Sequence, residues 1–154
     1  DFLFKGGRKM PKYENILVAV DGSEESRLAL TKAIELAKDN HAQLIISHII
    51  DTRTFATIEQ YDRTIVSRAE NYGQELLEKY EQEAKNAGVE NITTVLDFGS
   101  PKSKLPKDIA QKYHVDLIVT GATGLNAVER VLIGSVSEAI ARHAPCDVLI
   151  VRSE

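Results

Sequence analysis

Three glycines near the carboxyl end of the chain have a spacing that could serve phosphate binding. Gly121 and Gly124 are followed, after nine residues, by Gly134 and Ser135. Glycine adopts positive φ angles readily and lets the backbone approach a ligand closely. Gly134 precedes a predicted helix, and the free N–H groups and positive dipole end of a helix N-terminus favour phosphate. We therefore interpret the segment as an anion-binding loop, to which the hydroxyls of Ser135 and Ser137 could add donors.

A purely structural role for the same segment remains open. It is neither a P-loop, which needs Gly-Lys-Ser or Gly-Lys-Thr, nor the closely spaced G-x-G-x-x-G of dinucleotide-binding folds. Glycines after a strand are often only turn residues. Ser135 and Glu138 have the spacing of a capping box, in which Ser135 would cap its own helix. A capping hydroxyl and a phosphate donor can occupy the same helix end, so neither interpretation excludes the other.

A second candidate group is the carboxylate of Asp21, which follows an apolar run and precedes Gly22 and Ser23. An aspartate in this position can form an Asx-turn or cap a helix. It can also bind ligand hydroxyls or a Mg²⁺ ion that phosphates carry. We favour the ligand role, because Asp21 and the glycine segment both follow strands of a predicted parallel sheet, at whose carboxyl ends ligands bind.

These groups must be positioned by the elements that precede and follow them. Short continuous apolar runs are typical of strands buried on both faces, and they predict strands over residues 16–20, 44–50, 92–98, 117–120 and 148–151. Helical periodicity between the strands predicts four helices, which begin at Ser23 or Ser26, near Thr64, at Pro101 or Pro106, and at Ser135. The alternation predicts one doubly wound α/β domain, with an open five-stranded parallel sheet and helices on both faces.

The longest predicted helix, over residues 64–87, carries an apolar stripe that should face the core. Its members are Ala69, Tyr72, Leu76, Tyr80, Ala84 and Ala87, with Leu77 beside them. The four histidines show no metal-ligand spacing. Because His48 lies inside a predicted buried strand, we interpret it as a hydrogen-bonded core imidazole.

Size and composition fit a single globular domain. The chain has 154 residues, of which 43% are hydrophobic and 27% charged. Its net charge of −4 argues against nucleic acid as the main partner, because phosphate backbones select for a basic surface. No apolar run approaches the length of a membrane span. Cys146 is the single cysteine, which excludes an intramolecular disulfide and favours a reducing compartment, the cytoplasm.

Patterned sequence begins only at about Tyr13, so we expect residues 13–154 to form the domain and residues 1–12 to be a tail. Our hypothesis is that Met10 is the natural start and that residues 1–9 were added for expression. The alternative is a disordered native tail.

Four segments together resemble the universal stress protein family. The run Gly121-x2-Gly124-x9-Gly134-Ser135 is similar to the ATP-binding signature of that family. Residues 16–24 resemble its first strand and loop, residues 47–51 its second strand and residues 116–121 its fourth. The resemblance covers nearly all of residues 13–152, with Thr120 standing where Met is frequent and Asp147 where Pro is frequent.

The resemblance implies a strand order of 3-2-1-4-5 and an ATP site, with Mg²⁺ on the phosphates. Backbone atoms of Ala19, Val20 and Ile49 would frame the adenine, and Thr120 would stand at the edge of the pocket. Asp21 would act on ribose hydroxyls or on the Mg²⁺ ion. The ribose and phosphates would be held by Gly121, Gly124, Gly134, Ser135, Val136 and Ser137.

The resulting functional hypothesis is a nucleotide-dependent stress-response regulator with slow or no hydrolysis, for which no catalytic residue is assigned. One alternative is a nucleotide hydrolase or nucleotidyl transferase that uses Asp21 with Mg²⁺. Another is a dimeric interaction module with a vestigial pocket. In the family the last strands of two subunits pair, so the resemblance implies a homodimer through Val148–Val151. The sequence identifies no protein partner.

Overall fold

The computed structural model describes residues 4–5, 8–9, 12–55, 63–123 and 133–153. Its centre is a five-stranded sheet whose strands coincide closely with the predicted apolar runs. The strands are β1 (Asn15–Ala19), β2 (Gln43–Asp51), β3 (Ile92–Gly99), β4 (Leu117–Gly121) and β5 (Asp147–Val151). Gly124, one of the predicted site residues, lies outside the described residues.

All five strands run parallel, in the order β3-β2-β1-β4-β5. This is the order that the family resemblance implied, and the doubly wound α/β fold is confirmed. The chain moves outward from β1 to β3 and then crosses to β4 on the other side of β1. Strand order therefore reverses between β1 and β4, which creates a crevice at the carboxyl ends of these two strands.

Helices cover both faces of the sheet. They are α1 (Glu24–Asn40), α2 (Arg63–Ala87), α3 (a continuous run of Pro101–Ser103, Lys104–Ile109 and Ala110–Lys112) and α4 (Ser135–His143). Pro101 opens α3 at a position where its missing N–H costs nothing. Pro106, the other predicted start, lies inside the wider π-helical turn of α3. None of the helices in the described parts of the chain is long and apolar enough to cross a bilayer.

Two hydrophobic clusters attach the helices to the sheet. The cluster under α1 and α2 contains Val18 of β1 together with Leu30 and Leu77. The cluster under α3 and α4 contains Leu17 of β1 together with Ile140. Successive residues of β1 enter opposite clusters, as the alternation of side chains along a strand requires. Because β1 is buried on both faces, the loop that follows it starts from a firmly held point.

Helix α2 buries part of the predicted stripe, namely Tyr80 and Ala84 with the adjacent Leu77. Its buried residues are Gly73, Leu77, Tyr80 and Ala84. The prediction that Tyr72 faces the core is wrong, because Tyr72 is 50% exposed. Gly73 is the point of closest approach, since a Cβ there would lie 2.8 Å from Cδ2 of His48 and 2.7 Å from Cδ1 of Leu96.

Ahead of the main sheet, the short strands Phe4–Lys5 and Arg8–Lys9 pair antiparallel. They form a ladder separate from the five-stranded sheet. The proposed domain start at about residue 13 stays a prediction.

Candidate functional site

The two predicted loops lie at the same edge of the sheet. Val18 of β1 is in register with Val119 of β4, so Asp21 and Ala122 follow the two strands at a similar level. The strands are adjacent, and strand order reverses between them. Ligands of open α/β sheets bind in the crevice at such a reversal.

The loop after β1 is held by its own side chains. Oδ1 of Asp21 accepts a hydrogen bond from the Ser23 amide at 2.9 Å, which is the Asx-turn considered above. The Ser23 hydroxyl accepts from the Ser26 amide at 3.1 Å and caps α1. The Ser26 hydroxyl accepts from the Asp21 amide at 3.2 Å. This turn uses one carboxylate oxygen of Asp21 and is compatible with a ligand on the other.

Side chains from β2 and α2 support this loop from one face. Gly22 has a φ of 85°, and the Tyr72 hydroxyl occupies the space that a Cβ on Gly22 would need. The Tyr72 ring packs edge-on against His48, with the ring centroids 6.1 Å apart. Nδ1 of His48 lies 2.8 Å from the carbonyl oxygen of Val20. The prediction of a hydrogen-bonded core imidazole is confirmed.

Gly121 brings the end of β4 against the first turn of α1. A Cβ on Gly121 would lie 2.8 Å from the backbone carbonyl carbon and oxygen of Glu25. Among the described glycines, only Gly22, Gly88 and Gly99 have positive φ angles. Gly134 has a φ of −65°. The expectation that Gly121 and Gly134 supply positive φ angles is therefore wrong, and Gly121 serves a close approach of helix to strand.

Ala122 forms the base of the glycine segment. Its carbonyl oxygen accepts from the Gly134 amide at 2.6 Å and from the Ser137 hydroxyl at 2.8 Å. The Ser137 hydroxyl also lies 3.1 Å from the carbonyl oxygen of Gly134. These contacts join the two ends of the segment and fix the N-terminus of α4 beside the end of β4.

Within the described residues, no side chain caps the first turn of α4. Its N-cap is Gly134, and the helix begins at Ser135, whose side chain is exposed. The predicted capping box is wrong, because Ser135 stands inside the helix and Glu138 pairs with Arg142 at 2.7 Å. The N–H groups of a first turn have no intrahelical acceptor. They are available to solvent or to an anion, whereas the buried Ser137 hydroxyl is directed at carbonyl oxygens.

The residues implied to frame an adenine lie at the same edge. Ala19 and Val20 stand at the end of β1, with side chains in opposite clusters, and Ile49 is near the end of the neighbouring β2. Thr120 is buried, and its hydroxyl donates to the carbonyl of Gly121 at 3.3 Å. The structure thus brings together all the predicted contact residues that it describes.

Ion pairs neutralise the charges on the neighbouring part of this edge. The hydrogen bond from Arg53 holds the pKa of Asp51 below its ordinary value, although burial acts in the opposite direction. Burial also acts to raise the pKa of Asp97, but hydrogen bonds from the Phe98 amide and Lys104 outweigh it, and the pKa is lowered. Both carboxylates are ionised at neutral pH and have adjacent cations.

The carboxylate of Glu25 is also relevant to the binding of a metal ion. Oε1 of Glu25 accepts from the Ser153 hydroxyl at 2.8 Å, and its buried Oε2 has no hydrogen-bond partner among the described residues. Mg²⁺ is commonly bound by one or two carboxylates together with nucleotide phosphates and water. Within the described residues, no group of three His, Cys, Asp or Glu could hold a metal ion. Among the described residues Asp21 is thus a single carboxylate at the carboxyl end of β1, which is compatible with an ion that arrives with phosphate ligands.

Sequence reasoning missed three residues of this region. Ala122 acts through backbone atoms, which its residue type cannot signal. The Glu25 carboxylate is held through Oε1 by Ser153, which is 128 positions away in the chain. The position of Tyr72 over Gly22 had one available signal, the glycine at position 73 inside a helix, which marks a close approach.

A comparison with known proteins establishes the relationship. The family model described as the universal stress protein family matches residues 12–152. The chain belongs to this family. A Staphylococcus epidermidis protein that carries the name of a universal stress protein is 53% identical over 145 residues, which is 94% of this chain and 87% of that protein.

Solved structures agree with this assignment. The universal stress protein UspA from Lactobacillus plantarum is 29% identical and superimposes with a TM-score of 0.80, covering 91% of this chain and 98% of that one. A universal stress protein in complex with cyclic AMP is also 29% identical, with a TM-score of 0.68 and coverage of 92% and 98%. The family membership predicted from the glycine signature and the strand segments is therefore confirmed.

Proposed function

We propose that this universal stress protein binds an adenine nucleotide, with ATP as the ligand to be tested first. The observation that carries the proposal is the uncapped N-terminus of α4, which Ala122 and Gly134 fix at the strand-order reversal. The N–H groups and dipole of such a terminus favour phosphate. A structural relative in complex with cyclic AMP supports an adenine nucleotide as the ligand class.

The geometry of the site suggests which residues would contact the nucleotide. The phosphates and ribose would be held by Gly121, Gly124, Gly134, Ser135, Val136 and Ser137. Ser135 would contribute its exposed hydroxyl, whereas Ser137 would contribute its backbone N–H because its hydroxyl bonds carbonyl oxygens. Backbone atoms of Ala19, Val20 and Ile49 would frame the adenine beside Thr120.

In this proposal Mg²⁺ binds together with the nucleotide. Asp21 would supply one carboxylate oxygen, since the other accepts the Ser23 amide. Phosphates and water would complete the coordination, as is usual for Mg²⁺. The ion would neutralise phosphate charge beside the carboxylates of Asp21 and Glu25.

We propose a regulatory role in the cytoplasm, with slow or no hydrolysis, for the nucleotide-bound state. We also propose a homodimer through Val148–Val151 of β5, which is an edge strand of the sheet within the described part of the chain. Exposed strand edges favour pairing with another chain. No protein partner is proposed.

The test is a calorimetric titration of the full chain with ATP and Mg²⁺, using Ser135→Glu and Ser135→Gln as a matched pair. Ser135 is exposed at the first position of α4, where either side chain is accommodated in a helix. The two variants differ in one negative charge at the proposed phosphate site. We expect Ser135→Glu to bind ATP at least about tenfold more weakly than Ser135→Gln, because the added carboxylate repels the phosphates at close range.

Two outcomes would contradict the proposal. Wild-type protein that gives no binding at millimolar ATP would overturn it directly. Equal affinities of the two Ser135 variants would show that ATP binds elsewhere. ATP turnover above about one per second that is lost in Asp21→Asn would point to the enzymatic alternative.

A further inference from the structure

The hydrogen-bonded ladder between β1 and β2 stops at the candidate site. Paired residues extend as far as Ala19 and Ser47, and the last backbone bond runs from the Val20 amide to the Ser47 carbonyl at 2.9 Å. In a parallel ladder the next bond would run from the Ile49 amide to the Val20 carbonyl. No such bond is present between these two described residues. The ladder therefore ends although β2 continues to Asp51.

The imidazole of His48 occupies the Val20 carbonyl instead. Its Nδ1 lies 2.8 Å from that oxygen. A carbonyl only accepts hydrogen bonds, so Nδ1 carries the proton and donates it. His48 is only 9% exposed, and α2 encloses its ring, with Tyr72 packed edge-on and Gly73 leaving space for Cδ2. His48 thus satisfies the carbonyl that the ladder would otherwise pair with Ile49.

The backbone of Ile49 is left with an open side. Backbone groups of successive strand residues point to opposite sides, and the Ser47 carbonyl points toward β1. Those of Ile49 therefore also point toward β1, beyond the last bond of the ladder. In the described part of the chain the Ile49 amide has no acceptor on that side, although Ile49 is buried. A buried donor without an acceptor costs stability, so this position suits a ligand that brings one.

We propose that His48 is a positioning residue that keeps the Ile49 backbone open for the base of the nucleotide. The inference rests on the proposed function, in which Ile49 frames the adenine. By donating to the Val20 carbonyl, the imidazole removes the acceptor on which the Ile49 amide would close the ladder. The amide is then available to a ring nitrogen of adenine, which is a hydrogen-bond acceptor. His48 acts through the backbone and does not touch the ligand.

The matched pair His48→Leu and His48→Asn tests this role by calorimetric titration with ATP and Mg²⁺. Leucine fills the site without a donor, whereas asparagine carries an N–H on the atom bonded to Cγ, as the imidazole does at Nδ1. In His48→Leu we expect the Ile49 amide to close on the Val20 carbonyl, since a buried carbonyl without a donor costs stability. This variant should bind ATP about fivefold more weakly than His48→Asn, the usual effect of one hydrogen bond.

Inorganic triphosphate with Mg²⁺ separates this effect from general damage to the site. It has no base, so its affinity should be the same in the wild type and in both His48 variants. Competition against ATP in the calorimeter measures it. If His48 only supported the loop that carries Asp21, its loss would weaken the binding of triphosphate as much as that of ATP.

Amide hydrogen exchange gives a readout that needs no ligand. The Ile45 amide is the internal reference, because it faces β1 within the ladder. In the wild type and in His48→Asn, the Ile49 amide should exchange at least about tenfold faster than that of Ile45. In His48→Leu the two rates should approach each other. ATP should slow exchange at Ile49 in the wild type, and triphosphate should not.

Gly73→Ala tests the same role from α2 and replaces His48→Leu if that variant does not fold. A Cβ at this position would lie 2.8 Å from Cδ2 of His48, so the imidazole must shift. Alanine itself is favourable inside a helix. We expect weaker binding of ATP and unchanged binding of triphosphate. Melting curves show whether each variant is folded at the temperature of the titration.

The outcomes distinguish the inference from the proposed function. Failure of the wild type to bind ATP overturns both. Equal ATP affinities of His48→Leu and His48→Asn, or equally slow exchange at Ile49 and Ile45 in the ligand-free wild type, overturn the role of His48 alone. A parallel loss of ATP and triphosphate binding in His48→Leu also overturns it, as does wild-type binding of both ligands by Gly73→Ala.

Discussion

At the scale of single residues, the backbone of Glu25 explains why position 121 is a glycine. The glycine belongs to the signature, yet its φ angle is one that other residues adopt. What excludes a side chain is the backbone of Glu25, which stands 2.8 Å from the position of a Cβ. Backbone atoms at the start of a capped helix cannot move aside as a flexible side chain would. The requirement for glycine is therefore steric and comes from α1.

We predict that Gly121→Ala destabilises the fold by about 1–3 kcal/mol, the usual cost of overpacking a closely packed site. Urea unfolding monitored by circular dichroism measures the change. Gly134→Ala is the comparison, because its φ of −65° suits any residue. An equal loss of stability in both variants would contradict the steric explanation, as would an unchanged unfolding midpoint in Gly121→Ala.

At the scale of elements, β5 is one of the two edge strands of the described sheet, and none of its residues is fully buried. Its side chains are partly buried, in contrast with the fully buried residues of β4. Leu149 and Val151 pack against the cluster under α1 and α2, and Val148 packs against the other cluster. Only β4 pairs with β5 within the described sheet. The strand is thus held on one side and open on the other.

The matched pair Ile150→Pro and Ile150→Val tests whether this edge forms the dimer. The Ile150 N–H faces away from β4, so proline removes a donor from the free edge without breaking the ladder to β4. We expect Ile150→Pro to be monomeric at concentrations where Ile150→Val and the wild type are dimeric. Analytical ultracentrifugation measures the species, and a dimer that persists in Ile150→Pro would place the interface elsewhere.

At the scale of the whole molecule, contacts at the amino ends of the strands join the beginning and the end of the described domain. The Tyr13 hydroxyl donates to Asp147 at 2.8 Å. Burial, together with Asp147, raises the pKa of Tyr13 to about 12. Burial, together with Asp116 and Asp147, raises the pKa of Cys146 to about 11. Asp116 itself accepts the amides of Glu14 and Asn15.

These raised pKa values predict a loss of stability in alkali. An acid whose pKa is higher in the folded state favours folding below its unfolded pKa, and this contribution disappears as the pH rises through the folded pKa. For Cys146 the window runs from about pH 9 to about pH 11. The pKa difference corresponds to about 2.7 kcal/mol, but solvent screening at this half-exposed site reduces the expected loss to about 1 kcal/mol.

Urea unfolding of the wild type and Cys146→Ala at several pH values measures this loss. Between pH 9 and pH 11 the variant should lose less stability than the wild type, by about 1 kcal/mol. Between pH 6 and pH 8 the difference between the two proteins should stay constant, because the thiol is protonated in both states. If the free energies of unfolding of both proteins fall in parallel up to pH 11, ionisation of Cys146 does not cause the loss of stability.

Much of the fold could be predicted because a strand that is buried on both faces appears in the sequence as a continuous apolar run. The run Ile16 to Val20 is continuous and apolar, and it became the central strand within one residue. The helix boundaries at Ser135 and His143 agree with the prediction as well. The buried stripe of α2 could not be predicted in full, because the pattern counted Tyr72 as apolar and could not show that Gly73 meets His48.

The sequence alone determined the order of strands and helices, the family and the two loops that meet at the strand-order reversal. These follow from local patterns, since apolar runs, caps and glycine spacing act over a few residues. Only the tertiary structure showed that Gly121 packs directly against the backbone of Glu25. It also showed that Ala122 is hydrogen-bonded to both α4 and β5, and that the Ser153 hydroxyl donates to Glu25. The reason is that these contacts join residues far apart in the chain, through backbone atoms and packing distances that residue types do not encode.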